Sequence, residues 1–238
     1  MSNKKYAENS ALTVLIGNHG KVITELEKRK IRCIILKDND DIDFSVRNHA
    51  DMAAHRLSDG RIILDKRQIE AGNKLKKLGT DVIYTDDDIS GAYPDDILLN
   101  AAKIGDTVIG KMSNISRVIK EDAETLIDVR QGYAKCSICV VNDNAFITDD
   151  KSIYDKCKDN FDVLLIEKGD IILEDKDYGF IGGASGKVGN TIYFFGSLSY
   201  HRDGDKIKAF LEKYNSEYEC LFDEKLIDIG GFVEVKTF

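Results

Sequence analysis

The sequence predicts an α/β fold built as a ring of five ββαβ units. A pattern of strand, turn, strand, helix and strand recurs four times along the 238 residues. A lone strand follows the fourth unit at residues 227–235, and the N-terminal segment lacks a first strand. Because each end supplies what the other lacks, joining them completes a fifth unit. We therefore expect a fivefold pseudosymmetric α/β propeller, closed by the N- and C-terminal segments, that forms a single domain over residues 1–238.

The N-terminal segment predicts a strand over residues 12–16, a helix over 22–30 and a strand over 33–36. The first complete unit then begins with a hairpin over 49–64, whose turn is Ser58-Asp59-Gly60. On the strand that enters this turn, alternation places His49, Asp51 and His55 on one face.

The other units follow the same order. Gly79 caps the helix predicted over 68–78, and a strand over 81–84 closes the first unit. First strands are the ones that carry polar residues before each turn, so the sequence predicts a polar centre. The remaining predicted elements are hairpins over 97–110, 133–148 and 180–196, helices over 116–120, 153–157 and 207–214, and closing strands over 126–129, 163–166 and 219–222.

Composition limits the partners and the location. The chain has 34 basic and 42 acidic residues, a formal net charge of -8, which argues against nucleic-acid and anionic-membrane partners. Five scattered cysteines form no disulfide framework, which favours a reducing compartment. The first apolar run, residues 12–16, is too short for a signal peptide or a membrane span. We therefore expect a cytoplasmic protein.

Cys136 is the candidate nucleophile. It lies on the predicted first strand of the third unit, beside Lys135, and would meet His49 and Asp51 if first strands converge. A thiolate beside an imidazolium is an activated nucleophile. A buried apolar cysteine is the alternative interpretation, since free cysteine is often buried.

Two patterns qualify this interpretation. Asp51 lies eight residues before Asp59, whereas Cys136 lies seven before Asp143, so strict alternation places them on different faces unless a bulge intervenes. Cys136 and Cys139 form a C-x-x-C pattern, but on a strand the two thiols point to opposite faces, which argues against a redox pair.

The repeat pattern, with Asn48-His49-Ala50-Asp51-Met52 on one unit and Cys136 on another, resembles the guanidino-group-modifying superfamily, also called penteins. That superfamily includes arginine deiminases, agmatine deiminases, dimethylarginine hydrolases and amidinotransferases. Residues 132–137 and 180–186 look like those of an uncharacterised, compact bacterial branch.

The resemblance implies a hydrolase or amidinotransferase that acts on a small guanidino compound without an organic cofactor. A Cys136 thiolate would attack the guanidinium carbon, and His49 would protonate the leaving amine and then activate water. Asp51 would hold the guanidinium through charge-assisted hydrogen bonds. The expected substrate-binding residues are His55, Asp95, Asp96, Lys135, Ser185 and Asp228.

One departure from the family keeps two other functions open. The familiar enzymes carry their nucleophilic cysteine in the last repeat, whereas residues 228–232 contain none. The superfamily also has a non-catalytic branch, the ribosome anti-association factors, so a binding module is one alternative. A metal-dependent hydrolase that uses His49, Asp51 and His55 is the other. The pattern leaves the individual substrate and the oligomeric state open.

Overall fold

The computed structural model describes residues 12–235, which form five three-stranded sheets. In every sheet the middle strand pairs antiparallel with the first strand and parallel with the third. This arrangement confirms the ββαβ unit that the sequence predicts. The predicted single domain over 1–238 includes residues 1–11 and 236–238, which lie outside the described part.

The elements follow one another along the chain in the predicted order. Even the longest helix has only ten residues, so no helix within 12–235 is long and apolar enough to cross a membrane. The elements are β1 (Thr13–Ile16), α1 (Gly20–Lys28), β2 (Arg32–Ile35), α2 (Ala50–Ala53), β3 (Ala54–Arg56), β4 (Ile62–Leu64), α3 (Ile69–Lys77), β5 (Val82–Tyr84), β6 (Ala102–Ile104), β7 (Thr107–Gly110), α4 (Arg117–Glu121), β8 (Thr125–Asp128), β9 (Ile138–Asn142), β10 (Ala145–Thr148), α5 (Lys151–Cys157), β11 (Asp162–Leu165), β12 (Ser185–Val188), β13 (Thr191–Phe194), a 3-10 turn (Leu198–Tyr200), α6 (Gly204–Lys213), β14 (Glu217–Cys220) and β15 (Val233–Val235).

The two ends of the described chain share one sheet, with strand order β15-β1-β2. β15 runs antiparallel to β1, and Val14 lies opposite Glu234. The C-terminal strand therefore completes the unit begun by β1, α1 and β2, as the sequence predicts.

The apolar core lies between adjacent units rather than in one central mass. Val14 and Ile16 of β1, for example, pack in one cluster with Phe195 and Phe232. The helices bury one face each: α6 buries Ile207, Phe210 and Leu211, which are three of the four residues whose spacing predicted this helix. Each large apolar side chain buried in this way contributes about 1.5–3 kcal/mol relative to an exposed one.

The main difference from the sequence prediction concerns the residues before the first strands. The strand predicted from His49 onward is limited to β3, and residues 50–53 form the helical turn α2. Ala50, Met52 and Ala53 are good helix formers whose alternation with polar residues also matches a strand. His49, Asp51 and His55 therefore do not share a strand face.

The same correction applies to the third unit. Residues 134–137 form a turn, in which Ser137 N donates to Tyr133 O at 3.0 Å, and β9 begins only at Ile138. Cys136 thus lies in a turn and Cys139 in a strand. The alternation that set Asp51 and Cys136 on opposite faces does not apply to residues in turns.

Candidate active site

Two of these turns bring His49, Asp51 and Cys136 together. One potential ligand atom from each of the three lies within 4.8 Å of the other two, and all three residues are at least 98% buried. The turn of residues 181–184 packs against the Cys136 turn, with Gly183 N donating to Cys136 O at 2.8 Å. A Cβ atom on Gly183 would lie 1.9 Å from Asp228 Oδ1, so only glycine fits there.

The Cys136 thiol is held between a carboxylate and an amide. Its Sγ donates to Asp51 Oδ2 at 2.9 Å and accepts from Asn100 Nδ2 at 3.2 Å. Burial, together with the negative charges of Asp51 and Asp228, raises the pKa of Cys136 well above its usual value. The thiol is therefore protonated, whereas the sequence interpretation expected an imidazolium to lower its pKa.

His49 is the second buried group with unused bonding capacity. Its Nδ1 lies 3.9 Å from Asp228 Oδ1 and has no hydrogen-bond partner among the described residues. Burial lowers the pKa of His49, and the negative charge of Asp51 acts in the opposite direction. A neutral imidazole of this kind can accept a proton from a neighbouring group.

Two carboxylates complete the cluster. Burial raises the pKa of both Asp51 and Asp228 to about 6. Asp228 accepts backbone N–H groups from Phe180 at 2.8 Å and Gly230 at 3.0 Å. Asp51 Oδ1, in contrast, has no partner within residues 12–235. A buried carboxylate oxygen without a donor is a position that a cationic ligand can fill.

Asn100 is a site residue that the sequence interpretation missed. Its Nδ2 also lies 3.2 Å from Met52 Sδ, and its Oδ1 accepts from Lys135 N at 2.9 Å. It thus connects the Asp51 turn with the Cys136 turn. A single amide between Leu99 and Ala101 belongs to no motif, so the sequence offered no signal for it.

Three of the expected substrate-binding residues are buried or half-buried, and one of them acts on the charges of the cluster. Lys135 is half-buried, and its positive charge lowers the pKa of both Asp51 and Asp228, against the larger effect of burial. Asp96 is buried and accepts from Tyr133 Oη at 2.7 Å, which leaves its Oδ1 unpartnered. Ser185 donates to Ile181 O at 2.8 Å, so its hydroxyl supports the 181–184 turn.

Two other expected residues lie apart from the cluster. Asp95 is exposed. His55 lies in β3 and hydrogen-bonds to the backbone of Leu99, and its pKa is lowered to about 4 mainly by burial. The metal-ligating group that the described residues form is His49, Asp51 and Cys136, without His55. Imidazole, carboxylate and thiolate donors suit Zn²⁺, so this trio, rather than the predicted one, could hold such an ion.

Asp149 is a further buried acid that the sequence interpretation left unassigned. It directly follows β10 and accepts from Ile181 N at 3.2 Å, while its Oδ1 is unpartnered. Burial raises its pKa to about 7, and the negative charge of Asp228 acts in the same direction. Asp149 accepts the backbone N–H of Ile181, and Asp228 accepts that of the preceding residue, Phe180. The two acids therefore bind consecutive backbone amides.

Comparisons with known proteins bear on sequence and on fold separately. A family model described as "Family of unknown function (DUF6873)" matches residues 16–233. No functionally curated protein matches the chain.

Several solved structures have the same fold. A cysteine-to-serine variant of C. jejuni agmatine deiminase with substrate bound is 11% identical, with a TM-score of 0.56 over 100% of this chain and 96% of that chain. DDAH from Pseudomonas aeruginosa with citrulline is 8% identical, with a TM-score of 0.54 over 92% and 95%. An amidinotransferase of saxitoxin biosynthesis from Microseira wollei is 10% identical, with a TM-score of 0.52 over 91% and 78%. The chain therefore has the pentein fold.

Proposed function

Because the chain belongs to the DUF6873 family of unknown function and has the pentein fold, we propose that it is a cysteine-dependent enzyme acting on a small guanidino compound. It would represent a compact bacterial branch of that superfamily. The observation that carries the proposal is the buried cluster of Cys136, His49 and Asp51, with Asp228 beside His49. Each member of the cluster supplies a group that guanidino chemistry needs.

The proposal includes an arrangement of the five units in one domain. β15 contacts β3 and β12, and β9 contacts β6 and β12, which supports a propeller with first strands around the centre. Cys136 and its partners would then lie where the units converge. The five cysteines are free, which fits the proposed cytoplasmic location.

Binding would begin with the two carboxylates. A guanidinium is a planar cation whose N–H groups match the oxygens of carboxylates. Asp51 Oδ1 is unpartnered, and Asp228 lies on the His49 side of the cluster. Burial raises the pKa of both acids to about 6, and a bound cation would favour their ionised forms. A bound cation would offset the cost of burying their charges.

The substrate itself would activate the thiol. A positive charge beside Cys136 stabilises the thiolate and opposes the effect of Asp51 and Asp228 on its pKa. The thiol proton would pass to the neutral imidazole of His49, whose pKa burial lowers. Cys136 is thus kept unreactive until the cationic substrate is in place.

The reaction would then proceed in two halves. Cys136 Sγ bonds to the guanidinium carbon, the bond from that carbon to the leaving nitrogen breaks, and protonated His49 gives its proton to the departing amine. A thiouronium intermediate remains on the enzyme. His49 next takes a proton from water, and the hydroxide adds to the same carbon. The C–S bond then breaks to release the product, and the departing thiolate takes the proton back from His49 to restore the thiol. In an amidinotransferase, an acceptor amine would replace water.

A haloacetamidine labelling experiment tests this function. The reagent carries a cationic amidine beside an alkylating carbon, so we expect intact-mass spectrometry and peptide mapping to place one adduct on Cys136. An uncharged haloacetamide of equal size is the matched control and should react much more slowly. EDTA-treated protein should then be assayed for release of ammonia or amine from a panel of guanidino compounds. Activity that survives EDTA supports the thiol mechanism, and activity that EDTA abolishes supports a zinc-dependent one.

A non-catalytic binding module is the second candidate, and one observation favours it. The Cys136 thiol is protonated and hydrogen-bonded in a buried site. Guanidino compounds that raise the melting temperature without turnover, together with equal labelling by the charged and uncharged reagents, would establish this function instead.

A further inference from the structure

A second candidate binding site lies at the surface, between the second and third units. It is a cleft of about 730 Å³ at the carboxyl ends of β7, β8 and β10. Pockets for small molecules typically measure about 300–1,000 Å³. Its charged lining residues are Lys111, Asp128, Arg130, Lys151, Asp155 and Lys156.

The cleft has two negative charges, of which one is paired with a lysine and the other is hydrogen-bonded to the backbone. Both oxygens of Asp155 bind Lys151 Nζ, at 2.6 and 2.7 Å. Asp128 accepts from the backbone N–H of Met112 at 2.9 Å. Lys111 Nζ lies 5.7 Å from the ring centroid of Tyr93 and has no acidic partner in the described part of the chain. The lining therefore has an excess of unpaired positive charge.

Arg130 provides the most specific part of the argument. Seven of the nine arginines of this acidic chain make ion pairs with Asp or Glu. Within residues 12–235, Arg130 and Arg32 do not, and of these two only Arg130 lines the cleft. Lys156 likewise makes no ion pair in this region. An unpaired, exposed guanidinium beside two unpaired ammonium groups has no internal electrostatic role.

We propose that this cleft binds the phosphate group of a small molecule. Arg130 would bind two phosphate oxygens through its paired N–H groups, and Lys111 and Lys156 would add point charges. The cleft is much larger than a single phosphate, which leaves room for the rest of the ligand.

The proposed site depends on side chains rather than on the start of α5. Asp150 already accepts the first amides of that helix, Ser152 N at 2.8 Å and Ile153 N at 3.0 Å. None of the residues of the central cluster lines the cleft. Binding at the cleft is therefore separable from chemistry at Cys136.

Calorimetric titration with pyrophosphate at low ionic strength tests the proposal on the full chain. We expect saturable one-to-one binding that Arg130→Gln weakens about tenfold or more, because charge-assisted hydrogen bonds are lost. Arg32→Gln removes the other unpaired arginine and should leave the affinity unchanged. Lys156→Gln should have a smaller effect, and added salt should weaken binding.

Three results would overturn it: no saturable binding of pyrophosphate, equal losses in Arg130→Gln and Arg32→Gln, or citrate binding as tight as pyrophosphate. Thermal unfolding of each variant checks that it is folded. Cys136→Ser should bind pyrophosphate like the wild type. A loss in that variant would mean that the anion binds at the central cluster and would equally refute the proposal.

Discussion

The helical turns that precede the first strands differ from the strands that follow them, although both are buried. His49, in the turn region, has an unpartnered Nδ1 beside Asp228. His55, six residues later in β3, also has an unpartnered ring nitrogen, Nε2, but hydrogen-bonds to the backbone of Leu99. Burial lowers the pKa of both histidines. They therefore differ in what lies next to them rather than in exposure.

Two cysteines of the third unit show the same difference between a turn and a strand. Cys136, in the turn, contacts the polar groups of Asp51 and Asn100. Cys139, in β9, lies opposite Ile147 and packs in an apolar cluster, with the Ser185 hydroxyl as a hydrogen-bonding neighbour. A strand side chain is enclosed by its own sheet and the neighbouring layer, whereas a turn presents side chains to other units. In the proposed function the reacting groups therefore lie in the turns, and the strands support them.

Replacing each cysteine gives the largest expected difference. Cys136→Ser should lower turnover of a guanidino substrate by about 10⁴-fold or more, because a serine hydroxyl at this position lacks the nucleophilicity of a thiolate. Cys139→Ser should retain turnover and lower the melting temperature, since it places a hydroxyl in an apolar cluster. Steady-state kinetics and thermal unfolding measure the two effects, and equal kinetic losses would contradict the comparison.

Replacing each histidine should give a smaller difference in the same direction. His49→Gln removes the proposed acid and base and should lower kcat by about 10²–10⁴-fold. His55→Gln should change kcat little, because His55 lies outside the cluster. The pH profile of kcat provides a second measurement, since the His49 variant should lose the limb that the imidazole controls.

Asp51→Asn should lower both the pKa of the Cys136 thiol and the affinity for a guanidinium ligand. The negative charge of Asp51 raises the pKa of Cys136, so the pH midpoint for alkylation of the free protein should move down in the variant. Affinity for a guanidinium ligand should fall, since one carboxylate is lost. Asp96→Asn is the matched control, and it should leave the alkylation midpoint where it is in the wild type.

Asp149→Asn should have the smallest effect, on stability alone. The pKa of Asp149 is about 7 in the folded protein, above the value of about 3.9 for an unfolded chain. Between these values the folded state holds a proton that the unfolded state has lost, so stability falls as pH rises from about 4 to 7. Asp149→Asn has no carboxyl to ionise, so it should not lose stability in this way as pH rises. Its melting temperature should therefore exceed that of the wild type by a few degrees at pH 8 and by less at pH 4.

The exposed Asp175 offers a control for this last measurement. Asp175→Asn keeps a residue type that tolerates its positive φ of 59° and should not alter the pH dependence. If Asp149→Asn raises the melting temperature by no more at pH 8 than at pH 4, burial does not raise the pKa of Asp149 as described.

The sequence predicted the repeats better than the site. Hairpin turns such as Ser58-Asp59-Gly60 and the helical spacing of α6 follow local rules. The pairing of β15 with β1 follows instead from the repeat, because each end of the chain supplies what the other lacks. The turn of residues 50–53 was mistaken for a strand because its short apolar alternation fits both. Strand faces were expected to bring Asp51 and Cys136 together, whereas turns do so in the structure.

Asn100 and Asp149 could not be found from the pattern. Both owe their roles to partners distant in the chain: Cys136 Sγ for Asn100 and Ile181 N for Asp149. A single sequence shows such a partner only when the fold is known. Asp228, in contrast, was expected as a ligand for the substrate and lies beside His49.

The pairing of β1 with β15 has a consequence for the order of folding. β1 leaves the ribosome before its antiparallel partner β15, which is synthesised some 200 residues later. Contacts between such distant segments form slowly. Until then one edge of the apolar strand Thr13–Ile16 lacks its partner and is open to pairing with other chains. The Gly230 carbonyl that accepts Asp51 N arrives with the same segment, so the surroundings of His49, Asp51 and Cys136 are completed only when β15 pairs with β1.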